Sequence, residues 1–164
     1  MKFKSFYNRL PKIIFTDFDG CLTDDRVWLN QEGEEFVAAS RKDGLAIKRL
    51  KNFGLQVVIT STETNKVVLA RGNKIGVEVL QGLEDKVNSI EQYLRNKNMN
   101  WGDVWYIGND LNDIGAIRKA KLSICPADAT QKVKKEVDVI LRTNGGFGIL
   151  SEIVTELEKI HRNL

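Results

Sequence analysis

Ile13-Ile14-Phe15-Thr16-Asp17-Phe18-Asp19-Gly20-Cys21-Leu22-Thr23-Asp24 is an apolar run that ends in two carboxylates one residue apart. Continuous rather than alternating apolarity marks a strand covered on both faces, the habit of parallel sheets. Asp17 and Asp19, at i and i+2, fall on one side of an extended backbone. Unpaired carboxylates at a buried strand end are costly. A divalent cation would offset that cost, and a few carboxylate oxygens with several retained waters suit magnesium. This stretch therefore predicts a buried strand that delivers acidic chemistry at its carboxyl end.

Further along the chain, similar runs recur at 56–60, 77–80, 104–107, 122–124 and 137–140. Helix-like stretches lie between them at about 42–53, 63–74, 85–97, 111–119, 129–135 and 147–161, the first closed by Gly54 and the last opened by a glycine-rich turn. Strands alternating with helices predict an α/β fold, a doubly wound parallel sheet. One segment breaks the rhythm. Arg26 to Val37 holds two short β-prone runs around Asn30-Gln31-Glu32-Gly33, which reads as a β-hairpin over about 26–38 projecting from the sheet. No repeat or Pro-rich linker interrupts the 164 residues, so residues 1–164 are expected to form a single domain.

The 25 basic and 22 acidic residues give a net charge of only +3, spread along the chain, which argues for solvated helix faces and against nucleic-acid binding. There is no apolar run of the roughly 18 residues a membrane helix needs, and Met1-Lys2-Phe3-Lys4-Ser5 lacks the apolar centre of a secretion signal. A cytoplasmic protein is expected. Cys21 and Cys125 are far apart, without metal-type spacing, and are expected to be buried. With His161 the lone histidine, carboxylates and hydroxyls have to carry any chemistry.

In open α/β sheets ligands bind beyond the carboxyl ends of the strands. The second such end, Ile59-Thr60-Ser61-Thr62-Glu63, places hydroxyls and amides where a helix is expected, either as a phosphate cradle or as an ordinary N-cap. Lys86, after Gln81-Gly82-Leu83-Glu84-Asp85, puts a cation at a loop-to-helix start that would neutralise a phosphoryl oxygen. Trp105-Tyr106-Ile107-Gly108-Asn109-Asp110-Leu111-Asn112-Asp113 again runs from a strand into an acidic loop, with oxygen ligands for the same cation.

In order, these segments resemble the four signature motifs of the haloacid dehalogenase superfamily: Asp-x-Asp-Gly-x-x-Thr, a strand-terminal Ser/Thr, a Lys, and Gly-(Asp/Asn)-Asp-x-x-Asp. The resemblance implies that Asp17 is a nucleophile forming an aspartyl-phosphate and a magnesium ligand through its side chain. It implies that Asp19 is the general acid and base and binds Mg2+ by its carbonyl. Ser61, with Thr60 as its neighbouring alternative, is implied as the hydroxyl holding the phosphoryl group, and Lys86 as the charge clamp. The third ligand is implied at Asn109, where many relatives have Asp, or at Asp110, with Asp113 orienting the loop. Asp at position 19 points to a phosphatase.

The spacing between motifs leaves no room for a cap domain. The chain resembles the capless tetrameric subfamily that hydrolyses eight- and nine-carbon ulosonic acid phosphates, and also the C-terminal domain of acylneuraminate cytidylyltransferases. The matching segments are Asp17–Asp24, Ser40-Arg41-Lys42-Asp43-Gly44, 81–86, Pro126-Ala127-Asp128-Ala129 and Gly145-Gly146-Phe147-Gly148. This second resemblance implies a sugar-acid phosphate substrate, a homotetramer joined through the hairpin, substrate contacts from Thr62, Glu63 and Arg71, and a 143–148 turn reaching a neighbour's site, a turn that reads equally as a plain glycine-rich helix start. Its alternative is a catalytically weak assembly module associated with a cytidylyltransferase, which Asn109 favours.

Overall fold

The computed structural model describes residues 10–161, with the main chain alone for Ile160 and His161. The Met1–Ser5 start and the His161 side chain lie outside the described residues. Six strands form one parallel sheet: β1 (Ile13–Asp17), β4 (Gln56–Thr60), β5 (Glu78–Leu80), β6 (Val104–Ile107), β7 (Leu122–Cys125) and β8 (Val139–Ile140), in the order β5-β4-β1-β6-β7-β8. A separate antiparallel pair, β2 (Thr23–Leu29) and β3 (Glu35–Ala39), makes the hairpin. The helices are α1 (Arg41–Asn52), α2 (Lys66–Ile75), α3 (Lys86–Asn96), α4 (Ile114–Lys119), α5 (Gln131–Glu136) and α6 (Ile149–His161).

The doubly wound α/β sheet matches the expectation, and burial explains why the strands were readable. Ile14 of β1 packs with Ile47, Leu50, Leu150 and Ile153 on one face, while Ile13 and Phe15 pack with Ile90, Leu94 and Ile117 on the other. Both faces of β1 are covered, so the strand is apolar up to Thr16, whose buried hydroxyl bonds Asp17 O, and ends in Asp17 at the cleft. The chain starts at β1 in the middle, fills one side with β4 and β5, then crosses to β6 on the other. The carboxyl end of β1 is thus the topological switch point, where such sheets bind ligands.

Several boundaries differ from the sequence reading. The helix expected from 63 begins at Lys66, because Asn65 supplies the cap, its Oδ1 accepting from Val67 N at 3.0 Å. Residues 61–63 instead form a short bend, stitched to the next loop by Leu83 N to Ser61 O (3.1 Å) and Gly82 N to Glu63 O (2.9 Å). The expected 111–119 helix opens with a 3-10 turn, Leu111–Asp113. The 137–140 strand shortens to its last two residues. The hairpin starts earlier than expected, at Thr23, with an irregular register between Thr23 and Val27 where Asp25 takes φ 65°. Among the described residues no helix is long and apolar enough to cross a membrane.

Candidate active site

Asp17 ends β1, and its buried carboxylate accepts from Phe18 N at 2.8 Å and from Lys86 Nζ at 2.8 Å, both on Oδ1. Lys86 is the first residue of α3 and is almost wholly buried. Its ammonium also bonds Asp113 Oδ1 at 2.7 Å. Two carboxylates therefore share one cation away from water. Burial first, and then the Asp113 carboxylate, push the Asp17 carboxyl well above its usual range against the pull of Lys86. Burial disfavours the Lys86 charge, but Asp17 and Asp113 outweigh it and the net shift is upward.

Asp113 is the hub of the loop after β6. Its Oδ1 accepts from Lys86 and from the Tyr106 hydroxyl (2.6 Å), and its Oδ2 from the Asn109 and Asp110 amides (2.9 and 3.3 Å). These four bonds tie the Asp113 side chain to both Lys86 and the main chain of the loop. Gly108 fits because a Cβ there would collide with the Asp113 side chain. Tyr106 was not singled out from the sequence. A tyrosine inside a fully apolar strand needs a partner for its hydroxyl, and that was the available signal.

Asp19 lies two residues beyond Asp17, on a loop turned tightly by Leu22 N and Thr23 N, which both bond Phe18 O (2.8 and 3.1 Å). The Thr23 hydroxyl donates to Asp19 Oδ1 at 3.2 Å. Burial is the main cause that raises the Asp19 carboxyl above its ordinary value. Gly20 takes φ 72°, and a side chain there would collide with the Asn109 amide.

Asp17, Asp19, Ser61, Thr62, Glu63, Asn109 and Asp110 all line one open cleft of about 360 Å³, together with Asp25. Ser61, not Thr60, faces it: the buried Thr60 hydroxyl donates to Thr16 O at 3.3 Å and lies 3.5 Å from the Tyr106 hydroxyl. Ser61 Oγ accepts from Glu63 N at 3.1 Å, which leaves its own proton for a ligand. Arg71 is not brought to this cleft. Its guanidinium bonds Ser40 O at 2.7 Å, and it lines an adjoining groove with Arg41, Lys48 and Lys74.

Asn109 and Asp110 are used differently. Asp110 Oδ1 caps the 3-10 turn, accepting from Leu111 N at 2.7 Å, whereas the buried Asn109 Oδ1 meets only the Cys21 thiol at 3.9 Å. Both cysteines are buried, and burial pushes the Cys125 thiol up to about 12 and the Cys21 thiol well above its usual value, so neither is a nucleophile. Among the described residues no three His, Cys, Asp or Glu side chains gather to hold a metal by themselves. The side-chain oxygens lining the cleft belong to carboxylates, the Ser61 and Thr62 hydroxyls and the Asn109 and Asn112 amides.

The 143–148 turn packs on its own chain. Gly146 N donates to Cys21 O at 2.9 Å, Gly145 N to Asp128 Oδ1 at 2.9 Å, and a Cβ on Gly145 would collide with Gly20 O. The segment expected to reach a neighbour's site thus lies against the Asp19 loop of its own protomer, an approach the glycines permit by lacking side chains.

A family model described as haloacid dehalogenase-like hydrolase matches residues 61–153. The 3-deoxy-D-manno-octulosonate 8-phosphate phosphatase KdsC of Haemophilus influenzae is 30% identical over 143 residues, covering 87% of this chain and 79% of that protein. The N-acylneuraminate cytidylyltransferase A of Danio rerio is 26% identical over 89% of this chain, but the chain spans only 34% of that protein's length. Among solved structures, the 3-deoxy-D-manno-octulosonate 8-phosphate phosphatase of Moraxella catarrhalis, in complex with magnesium, phosphate and KDO, superposes with a TM-score of 0.90 at 27% identity, covering 98% of this chain and 94% of its own. With the family model matched along more than half of its length and a phosphatase 30% identical across 87% of it, this chain belongs to the haloacid dehalogenase-like hydrolases.

Proposed function

We propose that this protein is a magnesium-dependent phosphatase that removes phosphate from a sugar-acid phosphate of the ulosonic or sialic acid type through an aspartyl-phosphate on Asp17. The observation that carries the reading is the Asp17 carboxylate, held at the end of β1 by Lys86 and opening on the cleft. The named phosphatases among its relatives support the substrate class.

The donor set fits magnesium. Two carboxylates, Asp17 and Asp113, face the single Lys86 ammonium in a buried place, and the cleft adds hard oxygen ligands. Asp17 by its side chain, Asp19 by its main-chain carbonyl and Asn109 by its amide oxygen would hold the ion. Asp110 is the weaker candidate, since its carboxylate already caps a turn. When bound, the cation supplies charge neutralisation for an anionic nucleophile meeting an anionic ester.

In this mechanism Asp17 attacks phosphorus, the phosphorus–oxygen bond to the sugar breaks, and Asp19 gives its proton to the departing oxygen. Asp19, now ionised, takes a proton from water as that water attacks phosphorus and releases Asp17 and inorganic phosphate. Lys86 and the Ser61 hydroxyl hold the phosphoryl oxygens while negative charge spreads over them. Burial raises the Asp19 carboxyl, the direction that favours its protonated, proton-donating form.

Carboxylates dominate the wall of the cleft, and an anionic sugar acid needs cations against it. A homotetramer meets that need: the hairpin exposes Trp28 and Phe36 on one face and Val27 and Leu29 on the other, apolar surface suited to another copy. Arg71, outside its own cleft, then meets the sugar acid across a subunit boundary, with Thr62 and Glu63 contributing from within. We place the protein in the cytoplasm, without nucleic-acid or membrane partners. Asn109 and the match to part of a cytidylyltransferase favour a second reading, a catalytically weak assembly module.

Phosphate release from a panel of ulosonic acid phosphates, simple sugar phosphates and nucleotides, with and without magnesium, separates the two. Release confined to the sugar acids supports the first reading, and no release from any ester supports the second.

A further inference from the structure

Tyr106 lies within β6 with its ring wholly buried, and its hydroxyl donates to Asp113 Oδ1 at 2.6 Å. The same oxygen receives Lys86 Nζ at 2.7 Å, while the ammonium's other carboxylate is Asp17 Oδ1 at 2.8 Å. Asp113 Oδ2 is engaged separately by the Asn109 and Asp110 amides at 2.9 and 3.3 Å. Two donors, a phenol and an ammonium, therefore share one carboxylate oxygen. A short hydrogen bond from a neutral donor spreads the charge of that oxygen and weakens its hold on the second donor. A second hydroxyl near the phenol, Thr60 Oγ1 at 3.5 Å, already bonds Thr16 O at 3.3 Å, so the strong acceptor for Tyr106 is Asp113.

We propose that Tyr106 is a positioning residue: by occupying Asp113 Oδ1 it keeps Lys86 balanced between Asp113 and Asp17, and so presents the ammonium to the phosphoryl group arriving at Asp17. Without the phenol hydroxyl, Asp113 Oδ1 has only the ammonium, and Lys86 moves toward Asp113 and away from the nucleophile. The inference rests on the phosphatase reading for its catalytic consequence, whereas the placement of Lys86 stands apart from it.

The test is Tyr106→Phe, which keeps the ring and its packing and removes one hydroxyl. The Lys86 ammonium signal of protein labelled with 15N-lysine is compared between wild type and variant, alongside magnesium-dependent phosphate release. The expected result is a displaced Lys86 signal with kcat lowered about tenfold or more, the scale of one hydrogen bond to a charged group, and KM within about twofold. A Lys86 signal that does not move overturns the proposal whatever the activity, as does a change in KM with kcat intact. A displaced Lys86 signal in a protein whose wild type releases no phosphate supports the placement and defeats the phosphatase reading instead.

Discussion

Gly146 lies against the main chain of Asp24, so close that a Cβ on it would stand 2.6 Å from the Asp24 nitrogen. With Gly146 N bonded to Cys21 O at 2.9 Å, the turn before α6 props the loop that carries Asp19. The Asp19 loop is thus held from the far end of the sequence, by backbone rather than by side chains.

Gly146→Ala and Gly145→Ala should each displace this loop. Both should lose at least about 2 kcal/mol of stability, from overpacking and, at Gly146, from its positive φ, and turnover should fall with it. Gly54→Ala is the control, since it also has positive φ (75°) but a Cβ there meets nothing within 4 Å. It should cost only about 1 kcal/mol, with kcat unchanged. Urea unfolding and steady-state kinetics on the three variants check this.

Asp43 gives a pH signature. It is buried in α1, its Oδ1 accepts from Leu150 N at 2.9 Å, and its Oδ2 has no partner. Burial pushes its carboxyl from 3.8 up to about 6, with Leu150 N, Arg71 and Lys42 pulling it down. The folded protein then binds this proton more tightly than the unfolded chain. The resulting stability is fully present below about pH 4 and is lost as the pH rises through about 6. Asp43→Asn, which keeps the acceptor for Leu150, should therefore gain on wild type across that interval and level off above it, by at most about 3 kcal/mol at about 1.4 per pKa unit. Denaturation series at several pH values read this; a difference independent of pH would contradict it.

The contrast between Asn109 and Asp110 predicts the metal dependence. Asn109→Asp adds a ligand charge and should lower the half-saturating magnesium concentration about tenfold, whereas Asp110→Asn, still a good cap, should shift it by less than about twofold. The reverse pattern would move the ligand to Asp110. Magnesium titrations of phosphate release decide between them.

Trp28 and Phe36 face each other across the hairpin and are 68% and 56% exposed. Replacing both with Ser should leave a folded protomer and abolish the proposed tetramer, as read by light scattering. An unchanged mass would place the subunit contact elsewhere.

The sheet was legible because β1, β6 and β7 are buried along their whole length, so their sequences are predominantly apolar rather than alternating. Boundaries slipped where a side chain outbid the pattern: Asn65 took the cap that Ser61 could equally have made, and Asp110 with Asp113 tightened the start of α4 into a 3-10 turn. Thr60 and Ser61 could not be told apart by type, only by placement: Thr60 ends β4 with its hydroxyl turned to Thr16 O, and Ser61, just beyond the strand, lines the cleft. Arg71 sits at a plausible helical position, yet its side chain turns to Ser40, a tertiary contact that no local pattern encodes. The same holds for the docking of Gly145 and Gly146 on the Asp19 loop, between segments more than a hundred residues apart.

Whether Asp17 is the nucleophile is decided by comparing Asp17→Asn with wild type for magnesium-dependent phosphate release from the preferred sugar-acid phosphate, at matched thermal stability. A nucleophilic Asp17 predicts a loss of at least about a thousandfold in kcat. Release by Asp17→Asn within about tenfold of wild type would contradict that role and remove Asp17 from the chemistry.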